Sequence, residues 1–172
     1  MPPSIRQEQH QDSEAVYNIN KQAFAQEAEA KLVDSLPNSD AFVPELSLVA
    51  ELDNQIVGHI LFTKIKIVNN ATSYESLALA PMSVLEDYQK QGIGGALIRE
   101  GLQRAKELGF TSVIVLGHEN YYPKFGFQPA VKWNIKAPFE VASEVFMAIE
   151  LVPNALQHIS GTVQYPKEFE SV

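Results

Sequence analysis

The chain has 172 residues, 45% of them hydrophobic and 20% charged, and its 13 Lys+Arg against 21 Asp+Glu give a formal net charge of −8. That composition suits one folded domain and excludes wholesale disorder, while the acidic balance argues against nucleic acid as a partner, because phosphate backbones need clustered Lys and Arg. Cysteine is absent, which excludes disulfides, thiolate zinc sites, Fe–S clusters and a cysteine nucleophile.

In chain order, Met1-Pro2-Pro3-Ser4 carries neither a basic region nor an apolar run, and no stretch approaches the ~20 apolar residues of a membrane helix. The expectation is a soluble, cytoplasmic protein with no membrane partner. Residues 4–8 read as an opening strand. Asp12 or Ser13 can cap a helix reaching about Phe24, with Ala15, Ile19 and Phe24 as a partial apolar stripe. A second helix is expected over 27–36, with Leu32, Val33 and Leu36 inward and Pro37 ending it. Residues 46–51 and the β-branched run 55–68, joined by the turn signal Asp53-Asn54, predict a hairpin. Asn69-Asn70 marks the next turn, and 75–84 reads as a strand in which Pro81 lacks a ladder donor and calls for a bulge or an unpaired edge.

The strongest helix signal spans 92–108. Gly94, Leu97, Ile98, Gly101, Ala105 and Leu108 fall on one arc, Arg99, Gln103, Lys106 and Glu107 lie opposite, and Gly109 is the C-cap. A short buried strand over 111–116 follows, then a brief helix over 119–125, a return to strand at Gly126-Phe127 and a last strand over 145–151. Hairpins before the main helix imply an α/β fold with a mixed sheet rather than an all-parallel one. One domain is expected over 1–172, with 153–172 as a C-terminal extension.

Chemistry concentrates between the strand ending at Val84 and that helix. Three of the four residues from Gly92 to Gly95 are glycine, a poor choice for a helix start unless something needs the backbone. Without Cβ atoms a ligand can reach the first-turn N–H groups, which present the positive end of the helix dipole, so this is an anion site with Lys90 on its approach. A dinucleotide fingerprint fails, since Leu97 stands where its third glycine belongs. A P-loop fails as well, because Gly94-Gly95-Ala96 lacks the Lys-Ser/Thr ending. The remaining alternative is that the glycines only allow close helix–sheet packing.

Gln89-x-x-Gly92-x-Gly94, set between a strand and a helix, resembles the pyrophosphate loop of the GNAT N-acetyltransferases, and Tyr122 before Gly126-Phe127 resembles that family's tyrosine before Gly-Phe. The wider pattern is similar to the YhbS-like bacterial acetyltransferases. It runs through Glu29-Ala30-x-Leu32-Val33, 46–51, Val57-Gly58-His59-Ile60, Val115-Leu116-Gly117, Tyr121-Tyr122 and Gly161-x-Val163-x-Tyr165-Pro166, and so covers nearly the whole chain. The resemblance implies a single GNAT-fold domain with a central mixed, mostly antiparallel sheet, splayed at the cofactor site and flanked by helices. It implies an acyltransferase that moves an acetyl group from acetyl-CoA, its cosubstrate, directly to a primary amine of a small molecule or protein. A non-catalytic module that binds or senses acyl-CoA is the alternative. Family members are often dimers, and the segment 153–172 could pack on a neighbour or cap the acceptor cleft.

On this resemblance Gln89, Lys90, Gln91, Gly92, Ile93, Gly94, Gly95 and Ala96 hold the CoA pyrophosphate, while Met82, Ser83 and Val84 line the pantetheine arm. A strand amide near Val84 would be the oxyanion donor. Tyr122 would give a proton to the leaving thiolate. Glu29 and Glu75 are candidates for the base that deprotonates the amine, and His118 and Tyr121 for contacts to the acceptor. The subgroup's Asp-Pro is replaced here by His118-Glu119, and Lys124 stands where arginine is common, so the resemblance does not carry an acceptor. His59, inside a strand pattern, reads as a satisfied core residue. The four histidines are too scattered for a metal triad, and no metal is expected.

Overall fold

The computed structural model describes residues 2–171. Among them are strands β1 (Ser4–Gln7), β2 (Phe42–Leu52), β3 (Gln55–Asn69), β4 (Thr72–Val84), β5 (Ser112–Leu116), β6 (Gln128–Pro129), β7 (Ile135–Lys136), β8 (Phe146–Glu150) and β9 (Gly161–Gln164). The helices are α1 (Ser13–Phe24), α2 (Ala28–Ser35) and α3 (Ile93–Glu107). The architecture is the mixed α/β one that the element order implies. β1–β2, β2–β3, β3–β9, β5–β8 and β6–β8 pair antiparallel, and β4–β5 and β7–β9 pair parallel. None of the helices in the described residues is long and apolar enough to cross a membrane. The chain groups into two compact units, with β3, β4 and α3 each contributing residues to both.

The first unit holds 1–63, 80–104 and 167–172. β1 pairs with β2 from Ser4↔Glu51 to Gln7↔Leu48, and β2 with β3 through Ser47↔Leu61, Val49↔His59 and Leu52↔Gln55. Residues 46–50 and 57–63 are buried without alternation, because helices cover both faces of this pair. On one face Val49 and Leu61 pack with Val16 of α1 and with Leu32, Val33 and Leu36 of α2 and its end. Towards α3, a Cβ on Gly58 would stand 3.1 Å from Leu97 Cδ1 and 3.2 Å from Ile93 Cγ2, and a Cβ on Gly101 would run into the ring of the fully buried Phe62.

Two expectations shift here. Phe24 is exposed, and the inward face of α1 is Val16, Ile19 and Asn20. Asp12 sits at the N-cap of α1 without a side-chain bond to that helix. Its carboxylate instead accepts the Gln9 N–H at 2.7 Å and two guanidinium N–H groups of Arg6 at 2.7 and 3.1 Å. The Arg6 contact pulls the Asp12 carboxyl below its ordinary pKa, and a charged donor outbids the neutral amides a cap would take.

The second unit holds 64–79 and 105–166. β5 is its middle strand, antiparallel to β8 from Ser112↔Glu150 to Leu116↔Phe146 and parallel to β4 only at Leu77↔Val113 and Ala78↔Ile114. Ile67, Ala78, Ile114, Phe146, Ala148 and Val163 belong to one buried cluster. The segment 153–172 supplies β9, which pairs antiparallel with the end of β3 through Lys66↔Gln164, Ile67↔Val163 and Val68↔Thr162. The helix expected over 119–125 is a single 3-10 turn, Tyr122–Phe125, closed by Gly126 at φ +105°. The strand that follows starts at Gln128 rather than Gly126. β4 runs on through Pro81, whose bond to Ala80 is cis.

The contact at Gly101 fixes the sign of a substitution. Alanine gains about 1 kcal/mol over glycine inside a helix, whereas forcing a methyl into a filled core costs about 1–3 kcal/mol. Gly101→Ala is therefore expected to lower the urea midpoint, and Gly101→Ala with Phe62→Leu to recover part of the loss. A midpoint at or above wild type for the single variant contradicts the close packing.

Candidate functional site

Between β4 and α3 the chain is held by short-range bonds. Leu85 N–H donates to Val57 O at 2.9 Å, and the 3-10 turn Glu86–Tyr88 follows. Gln89 folds its amide back to donate to Val84 O at 3.0 Å, and Gln91 does the same to Asp87 O at 3.2 Å. Both glutamines thus brace the loop. Lys90 at φ +63° and Gly92 at φ +84° flank Gln91, and these two left-handed residues turn the backbone into α3. The first helical bond runs from Ala96 N–H to Gly92 O at 3.0 Å. The N–H groups of Ile93, Gly94 and Gly95 precede it and by helix geometry have no acceptor within α3.

The glycines now divide by role. A Cβ on Gly92 would meet nothing within 4 Å, so packing does not explain that residue. Its positive φ does, since an L side chain rarely adopts it. Gly58 and Gly101, by contrast, are set by packing. Ser83 and Ile93 are buried, at 3% and 2% exposure, and Gly95 is buried as well. Gln89, Lys90, Gln91 and Gly92 are exposed, and Met82, Val84, Gly94 and Ala96 are half-buried. A first turn of α-helical N–H groups, entered through an exposed left-handed glycine and beside an exposed lysine, fits a phosphate-bearing ligand.

Glu29 lies in the first turn of α2, and its carboxylate is buried and accepts the Gln26 amide at 2.8 and 3.0 Å. A carboxylate that meets a neutral amide can still pair with a cation.

In the second unit the chain leaves β5 through Gly117 and His118. The His118 side chain is exposed, while its carbonyl accepts the N–H groups of Tyr121 at 3.1 Å and Tyr122 at 3.3 Å. The Tyr122 ring meets Tyr121 edge-on at 5.2 Å and Phe127 at 5.7 Å, and Tyr121 meets Phe125 at 5.3 Å. Lys124 Nζ stands 5.6 Å over the Tyr121 ring. A Cβ on Gly117 would overlap the Tyr122 ring, so the residue after Leu116 is glycine because the phenol occupies its side-chain space. Sequence reasoning quoted Gly117 only as part of a pattern and missed this seat. Burial, with Tyr121 adding to it, pushes the Tyr122 phenol up to about 12. Below that pH Tyr122 keeps its proton, and it can donate but not accept one. Glu75 is exposed on β4, seven residues before Met82.

Residues 13–127 match the model of the Acetyltransferase (GNAT) family. The chain is 38% identical over 134 residues to the uncharacterized N-acetyltransferase YjhQ of Escherichia coli strain K12, covering 77% of this chain and 74% of that one. Its structure is similar to the GNAT family N-acetyltransferase YhbS from Escherichia coli in complex with CoA, at TM-score 0.91 and 28% identity over 99% of this chain and 93% of that one. A GNAT family acetyltransferase from Brucella melitensis in complex with acetyl-CoA is also similar, at TM-score 0.79 and 31% identity over 97% of both chains.

The Tyr122 seat is open to direct measurement. In an alkaline ultraviolet titration, the difference between wild type and Tyr122→Phe should show one phenol with a midpoint near 12. Gly117→Ala should unseat the ring and bring that midpoint down towards the ordinary value of about 10. A midpoint near the ordinary value in wild type would remove the buried seat.

Proposed function

The chain belongs to the GNAT family of acetyltransferases, and on that footing we propose that it transfers an acetyl group from acetyl-CoA directly to a primary amine of a small molecule or a protein. One observation carries the reading. Gly92, left-handed and with open space where a side chain would stand, opens the first turn of α3 to an anionic ligand. The two similar structures that hold CoA and acetyl-CoA support the same ligand here.

When bound, acetyl-CoA supplies the activated acyl group, and the chain's own residues do the rest. Backbone N–H groups of Gly92 to Gly95, which precede the first helical bond from Ala96 N–H to Gly92 O, take the pyrophosphate, with Lys90 as a point charge. Gln89 and Gln91 act indirectly, by bracing the loop through Val84 O and Asp87 O. The segment Met82-Ser83-Val84 offers backbone groups to the pantetheine arm and the reacting carbonyl. Tyr122 holds a proton at Oη over the working pH range and is the donor for the departing thiolate. Among the candidate bases, the burial of Glu29 favours it over the exposed Glu75, because a carboxylate away from water attracts a protonated amine more strongly. His118 and Tyr121 remain the acceptor-side contacts. With no cysteine in the chain, transfer proceeds without an acetyl-cysteine on the enzyme.

Calorimetric titration with acetyl-CoA and a free-thiol release assay over a panel of amines test this reading. Cofactor binding with amine-stimulated thiol release is the expected result; binding without release would turn the protein into a sensing module. Gly92→Val should weaken CoA binding, since a side chain strains the left-handed turn that presents the first N–H groups of α3. Tyr122→Phe should leave affinity nearly intact and cut turnover by about 100-fold or more. Unchanged affinity for the first variant or full turnover for the second would strip those residues of their roles.

A further inference from the structure

Five polar side chains from five segments of the first unit meet inside it. Ser83 Oγ lies 3.0 Å from Asn20 Oδ1, Asn20 Nδ2 lies 3.3 Å from His59 Nδ1, His59 Nε2 lies 3.0 Å from Ser47 Oγ, and Ser47 Oγ lies 2.5 Å from Glu8 Oε1. Ser83, Asn20, His59 and Ser47 are buried, at 3%, 0%, 0% and 1% exposure, and the Glu8 side chain retains 16%. Ser47 and His59 share a sheet face, because Ser47 opposes Leu61 and His59 opposes Val49.

Both ends force one direction on this chain of bonds. Asn20 Nδ2 also donates to Val16 O at 3.0 Å, and a carbonyl only accepts, so the amide nitrogen lies on that side and the amide oxygen faces Ser83. The second Nδ2 hydrogen then points at His59 Nδ1, which must accept. His59 therefore carries its hydrogen on Nε2 and donates it to Ser47, whose own hydroxyl donates to Glu8, again an acceptor. Burial pushes the His59 imidazole down to about 3, so the ring is neutral and this tautomer is the state throughout the physiological range. Burial raises the Glu8 carboxyl as well, with the Ser47 hydroxyl opposing the rise.

We propose that Glu8, Ser47, His59 and Asn20 are positioning residues, a one-way hydrogen-bond chain that fixes Ser83 and with it the last turn-in of β4, so that Met82 and Val84 are held for the acyl-CoA arm. The proposal rests on the reading of Met82–Val84 as the strand that receives that arm. The chain carries position and not protons, because the Asn20 amide sits in its middle and does not hand a proton on. Its Ser83 end is locked by donating inward, so the strand cannot rotate its faces without orphaning a buried hydroxyl and a buried amide oxygen. Leu85 N–H on Val57 O closes the same strand end from the backbone side.

Calorimetry of CoA binding to wild type, Glu8→Leu, Ser83→Ala and the double variant tests the proposal, with melting temperatures alongside. Glu8→Leu removes the acceptor at the solvent end, outside the loop and the strand end. Each single variant should weaken CoA by about threefold or more, and the double variant by clearly less than the product of the two, because both act through one chain. Ser47→Ala takes the place of either single variant that does not fold. In wild type, 15N spectra of the His59 ring should show Nε2 protonated and Nδ1 bare. CoA affinities equal to wild type, fully multiplicative losses or the opposite tautomer each overturn the proposal. Failure of wild type to bind CoA overturns the reading beneath it instead, and is told apart because no variant is needed to see it.

Discussion

The approach of α3 to β3 is the constraint from which the rest of the first unit follows. Gly58 admits Leu97 and Ile93, and Gly101 admits the ring of Phe62, so helix and strand meet where any side chain would hold them apart. With α1 and α2 on the opposite face through Val16, Leu32 and Val33, the β2–β3 pair is dry on both sides. The start of α3 is then fixed by packing deeper in the helix, and the loop before it is free to be shaped by Lys90 and Gly92 for a ligand. Close packing is set by Gly58 and Gly101, and the turn into the helix by Lys90 and Gly92.

That division resolves a tension in the charge. A chain of net charge −8 is a poor host for a polyanion if binding depends on a basic surface. A helix start needs no such surface. Its N–H groups are fixed dipoles that lose little reorganisation energy when an anion arrives, and one lysine at the mouth adds to them.

Much of this was legible in the residues. The long amphipathic helix, the hairpin at Asp53-Asn54 and the glycine-rich loop all have local causes, and local causes can be read from spacing. What the spacing concealed depends on partners distant in the chain. β9 exists because β3 offers Lys66, Ile67 and Val68 as partners, and four residues such as Gly161–Gln164 announce nothing alone. The helix anticipated over 119–125 shrank to one turn because Pro123 and Gly126 leave room for no more. Asp12 was legible as a cap residue, but Arg6 claimed it. In the site, the glycines were visible as a group. Only contacts separate Gly92, which faces open space, from Gly101, which faces Phe62. His59 was legible as a satisfied core residue, while the partners that satisfy it come from α1 and β2.

The central claim is that backbone amides at the start of α3, and not a basic surface, receive the phosphates of CoA. Amide 1H–15N spectra of the protein titrated with CoA test it most directly, since each N–H reports its own hydrogen bond. The account predicts that the largest saturable shifts fall on Gly92 to Gly95, with the exposed cations of the distal turns of α3 unmoved. Saturable shifts confined to other segments, with the amides of Gly92 to Gly95 unchanged, would contradict it.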